Sequence, residues 1–325
     1  MKFQPHSFFH RTLSLGLIFT ASALLMGAPA QTAPPNGFGT PAIKQDAKGD
    51  EDFIRYVEDK TACRLETSVS SYVDAKGKTV DLIGAVHVGD KEYYQGLNAL
   101  FTTYDALLFE MVGGRTGMTK EDLNGKSGKE KGFNVIRGLQ SGMTSVLDLS
   151  YQLEEVDYTA KNFVHADMNA RQFSKRQEER GEGFLQMIIR SWIVQMEKLV
   201  SEGSIGHADN YEDGPSVLEL IELATKGKAA PHLKRMMGRE MSHMEDITGA
   251  IEGPDGSVIL SERNQVALKV LERELRQGKN KLGIFYGAAH LPDMEKHLLK
   301  MGFKRKSHVW LTAWFIPKKD LEIKR

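Results

Sequence analysis

The chain has 325 residues with 43 Lys and Arg against 43 Asp and Glu, so it carries no formal net charge at neutral pH. That balance gives no electrostatic footprint for a nucleic-acid partner. Its one cysteine, Cys63, excludes an internal disulfide, and at this length an α/β domain can bury enough apolar surface to stand without such staples.

In chain order, residues 1–30 read as a secretory signal: Lys2 and Arg11 with no acid, an apolar run from Leu13 to Met26, then Ala28-Pro29-Ala30 as a small-residue cleavage site. The expectation is an exported protein, periplasmic or secreted, near neutral at −2 after cleavage and with no membrane span once the signal is gone. Residues 31–52 are rich in Pro, Gly and Ala without periodicity and read as a flexible leader, leaving residues 53–325 for the domain.

Thr67 to Val73 and Thr79 to Val86 have the pattern of a hairpin turned by Asp74-Ala75-Lys76-Gly77. Asp90 is placed to cap a helix over Lys91 to Phe101, and Ala106 to Val112 is a short apolar strand interrupted by Glu110. From Gly113 to Phe133 glycines and charges without an apolar period predict a loop that could act as a lid. Residues 134–250 read mostly as a helical insertion, broken by a strand-like piece from Asn162 to His165. Within it, Leu185, Ile188, Ile189, Trp192, Met196 and Leu199 stripe a helix over Glu182 to Val200, too charged and too short to span a bilayer. Ser201 to Ser216 is a second loop. Ser261 is expected to cap a helix whose inner face carries Val266, Ala267, Val270, Leu271 and Leu275.

One signature occurs twice. Gly84-Ala85-Val86-His87 follows the strand-like run from Asp81, and Gly287-Ala288-Ala289-His290 follows the run Lys281 to Tyr286; each leads into a helix and a further apolar run. A strand ending in Gly and then His sets an imidazole at the carboxyl edge of a sheet, where open α/β folds keep their ligands. The fold expected is therefore α/β, a central mixed sheet built from two related halves with helices inserted between them. Either histidine alone is more often an ordinary strand-end residue than a functional one; two in matching contexts suit a metal or a proton transfer.

Glu110 stands where a buried strand would carry Leu or Val, and a carboxylate there needs a partner: a cation, a histidine or a structural salt bridge to Arg. Arg263 lies on the apolar face of its helix, so it either clamps a carboxylate or snorkels outward. Asp167, just past His165, suits a metal ligand, an acceptor behind the ligands, or a helix cap. His207, Asp209, His243 and Glu245 group loosely in contexts that favour solvated positions.

Gly84-x-x-His87, Glu110 in an apolar strand, Glu262-Arg263-Asn264 opening a helix, and Gly287-Ala288-Ala289-His290, in this order, resemble the TraB/PrgY/GumN family. That family includes the Tiki proteins and is similar to the erythromycin-esterase and ChaN-like folds. The resemblance covers roughly Asp81 to Val112 and Ser261 to Phe303. It departs from the pattern at Ala85, where Ser or Thr is common, and at Leu291-Pro292-Asp293, which replaces a glycine-containing turn. The resemblance implies a metal-dependent, peptidase-like hydrolase of the Tiki type, a metalloprotease, with a site formed by His87, His290 and Glu110, Asp167 as a further ligand of a divalent cation (Mn, Co or Zn) and Arg263 orienting the glutamate or a peptide or small-molecule substrate. It also implies alternatives of other classes, a metal-free His/Glu esterase or a protein that holds metal or haem without turnover; a protein that captures a peptide on the striped face of Glu182 to Val200 is a further alternative.

Overall fold

The computed structural model describes residues 52–123, 144, 147–180, 215, 217–242, 257, 258 and 260–322. The signal and nearly all of the leader lie outside these residues. So do the loop beyond residue 123, the striped helix over 182–200, nearly all of the loop 201–216, and His207, Asp209, His243 and Glu245.

The architecture is α/β, with a seven-stranded mixed sheet. Its longest pairing joins β2 (Ala62–Val73) to β9 (Lys304–Pro317), antiparallel from Ala62↔Pro317 to Val73↔Lys304. The other edge of β2 is shared end to end by β1 (Ile54–Glu58), which pairs from Thr67 to Cys63, and β3 (Thr79–Ala85), which pairs from Val69 to Val73. The β2–β3 hairpin turns on Asp74, whose Oδ1 accepts from the Lys76 and Lys78 amides at 2.8 Å, with Gly77 at φ 81°. From β3 outward the strands are parallel: β8 (Lys281–Gly287), β5 (Ala106–Phe109) and β7 (Phe163–His165). Such strands, covered on both faces, read as nearly continuous apolar runs, as Ala106–Phe109 does. A two-residue ladder outside the sheet joins β4 (Val88–Gly89) to β6 (Ser150–Tyr151).

The helices are α1 (Lys91–Phe101), α2 (Lys120–Leu123), α3 (Gln152–Glu155), α4 (Ala170–Arg180), α5 (Val217–Thr225), α6 (Ala230–Met241), α7 (Ser261–Arg276) and α8 (Leu291–Lys300). Phe285 of β8 meets Phe101 of α1 at 4.7 Å between ring centroids, and Phe109, Tyr158 and Phe163 extend that aromatic layer. Tyr286, one residue on, turns to the opposite face and packs against His290, where α7 and α8 contribute Ala267, Leu271, Leu291, Met294 and Leu298 to the core. No described helix is long and apolar enough to cross a membrane.

Several local expectations are corrected. Asp90 precedes α1 but makes no capping bond, because its carboxylate accepts from Phe315 N at 2.6 Å and Lys234 Nζ at 3.2 Å. Ser261 is the first residue of α7, and its hydroxyl accepts from Ser257 N, in the chain that enters the helix. Glu110 sits one position beyond the end of β5, and the loop after it holds the short helix α2. After the first signature the chain returns as β5, parallel to β8; after the second it returns as β9, antiparallel to β2 on the far side of the sheet.

Candidate functional site

The four parallel strands end together, and four of the five residues singled out from the sequence follow those ends. His87 comes two residues after β3, Glu110 one after β5, Asp167 two after β7, and His290 three after β8. The register makes this a geometric consequence: Ala85 pairs with Gly287, and Phe109 pairs with both Phe285 and His165. The fifth, Arg263, enters from the first turn of α7 and is buried, as are Glu262 and Asn264 beside it.

Arg263 faces inward. Its Nε and Nη2 bind Asp167 Oδ1 and Oδ2 at 2.9 and 2.6 Å, and Nη2 also reaches Glu110 Oε1 at 2.7 Å. Glu110 Oε2 accepts the Gly287 amide at 2.7 Å, so one carboxylate links the ends of β5 and β8 to α7. Asp167 Oδ1 also accepts its neighbour's amide, Met168 N, at 2.7 Å. The cap of α4 is instead Asn169, whose Oδ1 accepts from Gln172 N while Gln172 Oε1 accepts from Asn169 N. Glu262 makes its own two-point pair with Arg176, at 2.7 and 2.8 Å, and so leaves Arg263 alone in the site.

His290 is held by Asn264, the residue after Arg263 in the first turn of α7. Asn264 Nδ2 donates to the His290 carbonyl at 3.2 Å and to Asp293 Oδ2 at 2.8 Å. The amide oxygen therefore points the other way and meets His290 Nδ1 at 2.6 Å, so Nδ1 carries the proton. Nε2 is left with a lone pair, 3.7 Å from Glu110 Oε1. Asp293 belongs to the turn that departs from the family pattern, and here it is part of the support. Tyr286, missed from sequence, packs edge-on against His290 and donates its hydroxyl to Ala166 O at 2.6 Å.

His87 is half-buried and the more open of the two histidines. Its segment is bolted in place by backbone acceptors: Tyr93 Oη donates to Gly84 O and Tyr94 Oη to Val86 O, both at 2.9 Å, and Trp314 Nε1 donates to Val88 O at 2.7 Å. These phenols and the indole had no signal in the sequence beyond their place on an apolar helix face or strand. His165, at the end of β7, binds Met111 O at 2.7 Å and stays out of the cluster.

Charge in the site follows from burial set against these partners. Burial pushes the Glu110 carboxyl up, but Arg263, with the two histidines and the Gly287 amide, outweighs it and holds Glu110 down at about 2. Burial lowers His290 to about 4, Glu110 opposing and Arg263 assisting. His87 is lowered by the same burial, with Glu110 pulling the other way. At neutral pH Arg263 is a guanidinium, Glu110 a carboxylate, and both imidazoles are neutral.

A divalent cation requires donors with free lone pairs. Both Asp167 oxygens are engaged by Arg263, and each Glu110 oxygen already accepts one hydrogen bond. Among the described residues no group of three or more His, Cys, Asp or Glu has the arrangement to hold a metal ion. As arranged, Asp167 has both oxygens taken by Arg263, whereas Glu110 Oε1 and His290 Nε2 face each other 3.7 Å apart.

No protein-family model, curated protein or solved structure matches this chain.

Proposed function

We propose that this protein is a hydrolase of the TraB/PrgY/GumN type, acting on a peptide or small-molecule ester or amide, with His290 as its general base. The observation that carries the reading is His290 itself: Nδ1–H is given to Asn264, and Nε2 presents an unprotonated lone pair 3.7 Å from Glu110 Oε1. A base within reach of a carboxylate can take a proton from water, because the imidazolium that forms is stabilised by the charge beside it. Burial keeps His290 neutral at working pH, so the base is always in its acting form. The proton it takes is then available to the leaving amine or alcohol. Arg263 keeps Glu110 ionised and fixed, and Asp167 keeps Arg263 in the plane that this requires. In this reading His87, at the more open edge, meets the substrate.

The resemblance also supports a second reading, in which His87, His290 and Glu110 hold Mn²⁺, Co²⁺ or Zn²⁺. What favours it is the same pair of facing lone pairs, on Nε2 and Oε1, which a cation would reconcile. Export to the periplasm or medium belongs to the proposal as well, and amino-terminal sequencing of secreted material, expected to begin at Gln31, tests it.

The test of function is a panel of p-nitrophenyl esters and fluorogenic peptides assayed with and without EDTA, and with added Mn²⁺, Co²⁺ or Zn²⁺. Turnover that survives chelation and disappears in His290→Ala supports the general-base reading. Turnover lost in EDTA and restored by metal moves the protein to the second. A wild type that turns over nothing but binds haem, metal or peptide stoichiometrically overturns both in favour of a binding protein.

A further inference from the structure

His290 has a carboxamide partner that touches both its carbonyl and its ring. A second carboxamide residue lies beside His87, tied to its carbonyl by the backbone and not by the side chain. Gln152 opens α3, and its backbone N–H donates to the His87 carbonyl oxygen at 2.9 Å. Its side-chain Nε2 donates to the Tyr158 hydroxyl at 2.6 Å. Tyr158 cannot yield, since it is 1 % exposed and its ring sits 5.3 Å from that of Phe109 and 5.7 Å from that of Phe163. With Nε2 committed, the oxygen end of the amide is directed elsewhere. Gln152 is 4 % exposed, and its Oε1 has no hydrogen-bond partner among the described residues. A buried amide oxygen left in that condition costs about 1–3 kcal/mol, so a donor is expected for it.

His87, whose carbonyl Gln152 already holds through its backbone N–H, carries a ring donor that could meet it. Gln152 acts on His87 in the sense that favours a ring N–H, which is how an acceptor oxygen beside an imidazole acts. The comparison with Asn264 completes the argument. In each unit the amide residue donates to the histidine's own carbonyl, through the side chain in Asn264 and through the backbone in Gln152, and fixes its NH2 end on a second acceptor; in Asn264 the oxygen then meets the ring. Asn264 comes from α7 and Gln152 from α3, so the device is assembled twice from unrelated segments.

We infer that Gln152 is the positioning residue of His87: its Oε1 accepts one ring N–H and so turns the lone pair of the other ring nitrogen toward Glu110 and Arg263. Both signature histidines are then locked as single neutral tautomers, each by an amide that cannot itself change charge with pH. An imidazole without such a lock exchanges between two tautomers and presents its lone pair to the site only part of the time.

The purpose of the lock rests on the hydrolase reading; its existence does not, and the experiment needs no turnover. Protein labelled with ¹⁵N-histidine, with the His87 signals identified by their loss in His87→Asn, should show one pyrrole-like and one pyridine-like nitrogen for His87. In Gln152→Leu those two signals should move to averaged positions, while His290 keeps its pattern. Gln152→Glu, which retains an acceptor, should restore the single tautomer. Tyr158→Phe releases the anchored end of the amide and should shift His87 the same way by a smaller amount, which keeps the test open if Gln152→Leu fails to fold. A His87 that keeps its single tautomer in Gln152→Leu, or in Tyr158→Phe where only that variant folds, overturns the inference.

Discussion

The two Gly-Ala-x-His units are nearly identical in sequence and differ in what the fold does with them. At the second, the signature ends in a single 3-10 turn, Ala288–His290, that runs straight into α8, so His290 is buried against Tyr286 with its Nε2 3.7 Å from Glu110 Oε1. At the first, the chain leaves β3, makes the two-residue ladder of β4, and only then enters α1, so His87 stays half-buried. A four-residue motif thus specifies where an imidazole emerges from a sheet and leaves its depth to the next few residues. The chemistry expected of each histidine differs accordingly: a fixed base at the buried position, a substrate-facing group at the open one.

The largest effect should come from the residue both units share. Arg263→Ala leaves Glu110 and Asp167 as buried carboxylates without their cation, which should cost about 3–5 kcal/mol of stability. Urea unfolding measures it. Arg263→Lys should recover only part, since an ammonium cannot bind Asp167 at two points while reaching Glu110. A variant as stable as the parent would mean that the cluster is not the polar centre of the fold.

Next in size is the contrast between the histidines. His290→Ala should lower kcat by roughly 10²–10⁴-fold, the range for loss of a positioned general base. His87→Ala should act more on KM. Equal losses of kcat would make the two units equivalent and would favour a shared cation over a single base.

How far this was legible beforehand divides along physical lines. Strand-end histidines, the carboxylate after an apolar strand and the arginine on an apolar helix face are local contradictions of pattern, and such contradictions are visible in one dimension. Those four positions meet at one end of the parallel strands, and Asp167 joins them through Arg263. Asn264, Tyr286, Gln152 and Tyr158 contradict nothing locally; their roles arise only when distant segments meet. The role of Asp167 was open among three readings, because a ligand, a cap and a guanidinium partner look alike until Arg263 is seen to occupy both its oxygens. The order of strands was likewise hidden: β8, near the end of the chain, inserts between β3 and β5, a pairing that no local pattern encodes.

Acid should separate the units further. His290 titrates at about 4 in the folded state against an ordinary 6.5, so between those values the unfolded chain binds a proton that the folded one refuses. Stability must then fall as pH drops from 6.5 toward 4, by on the order of 3 kcal/mol from this group. Glu110, held at about 2 against an ordinary 4.5, adds a second loss as pH falls from 4.5 toward 2. His290→Asn should flatten the first part of the urea-midpoint profile. His87→Asn should flatten it less, because His87 is more open. A reversed order would place the deeper imidazole in the first unit.

The smallest effect separates the two glycines of the motif. A Cβ on Gly84 would lie 3.2 Å from Phe53 O, 3.3 Å from Thr67 Cβ and 3.4 Å from Ser68 O, where β1 and β3 abut along β2. Two of those neighbours are backbone in the middle of a sheet and cannot rotate away, so Gly84→Ala should cost about 1–3 kcal/mol in overpacking. A Cβ on Gly287 would meet only Glu110 Oε2 at 3.4 Å and His290 Cδ2 at 3.7 Å, at a backbone of φ −49° and ψ 135° that alanine adopts without strain. Gly287→Ala should therefore change stability by no more than about 0.5 kcal/mol. Its methyl group would nonetheless stand against the carboxylate oxygen that the Gly287 amide holds, so any loss should appear in turnover. Thermal unfolding and ester hydrolysis, measured on the same two variants, give the result: the first glycine is kept for packing and the second for the site. If Gly287→Ala proves the more destabilising of the pair, the placement of Glu110 between β5 and β8 is wrong.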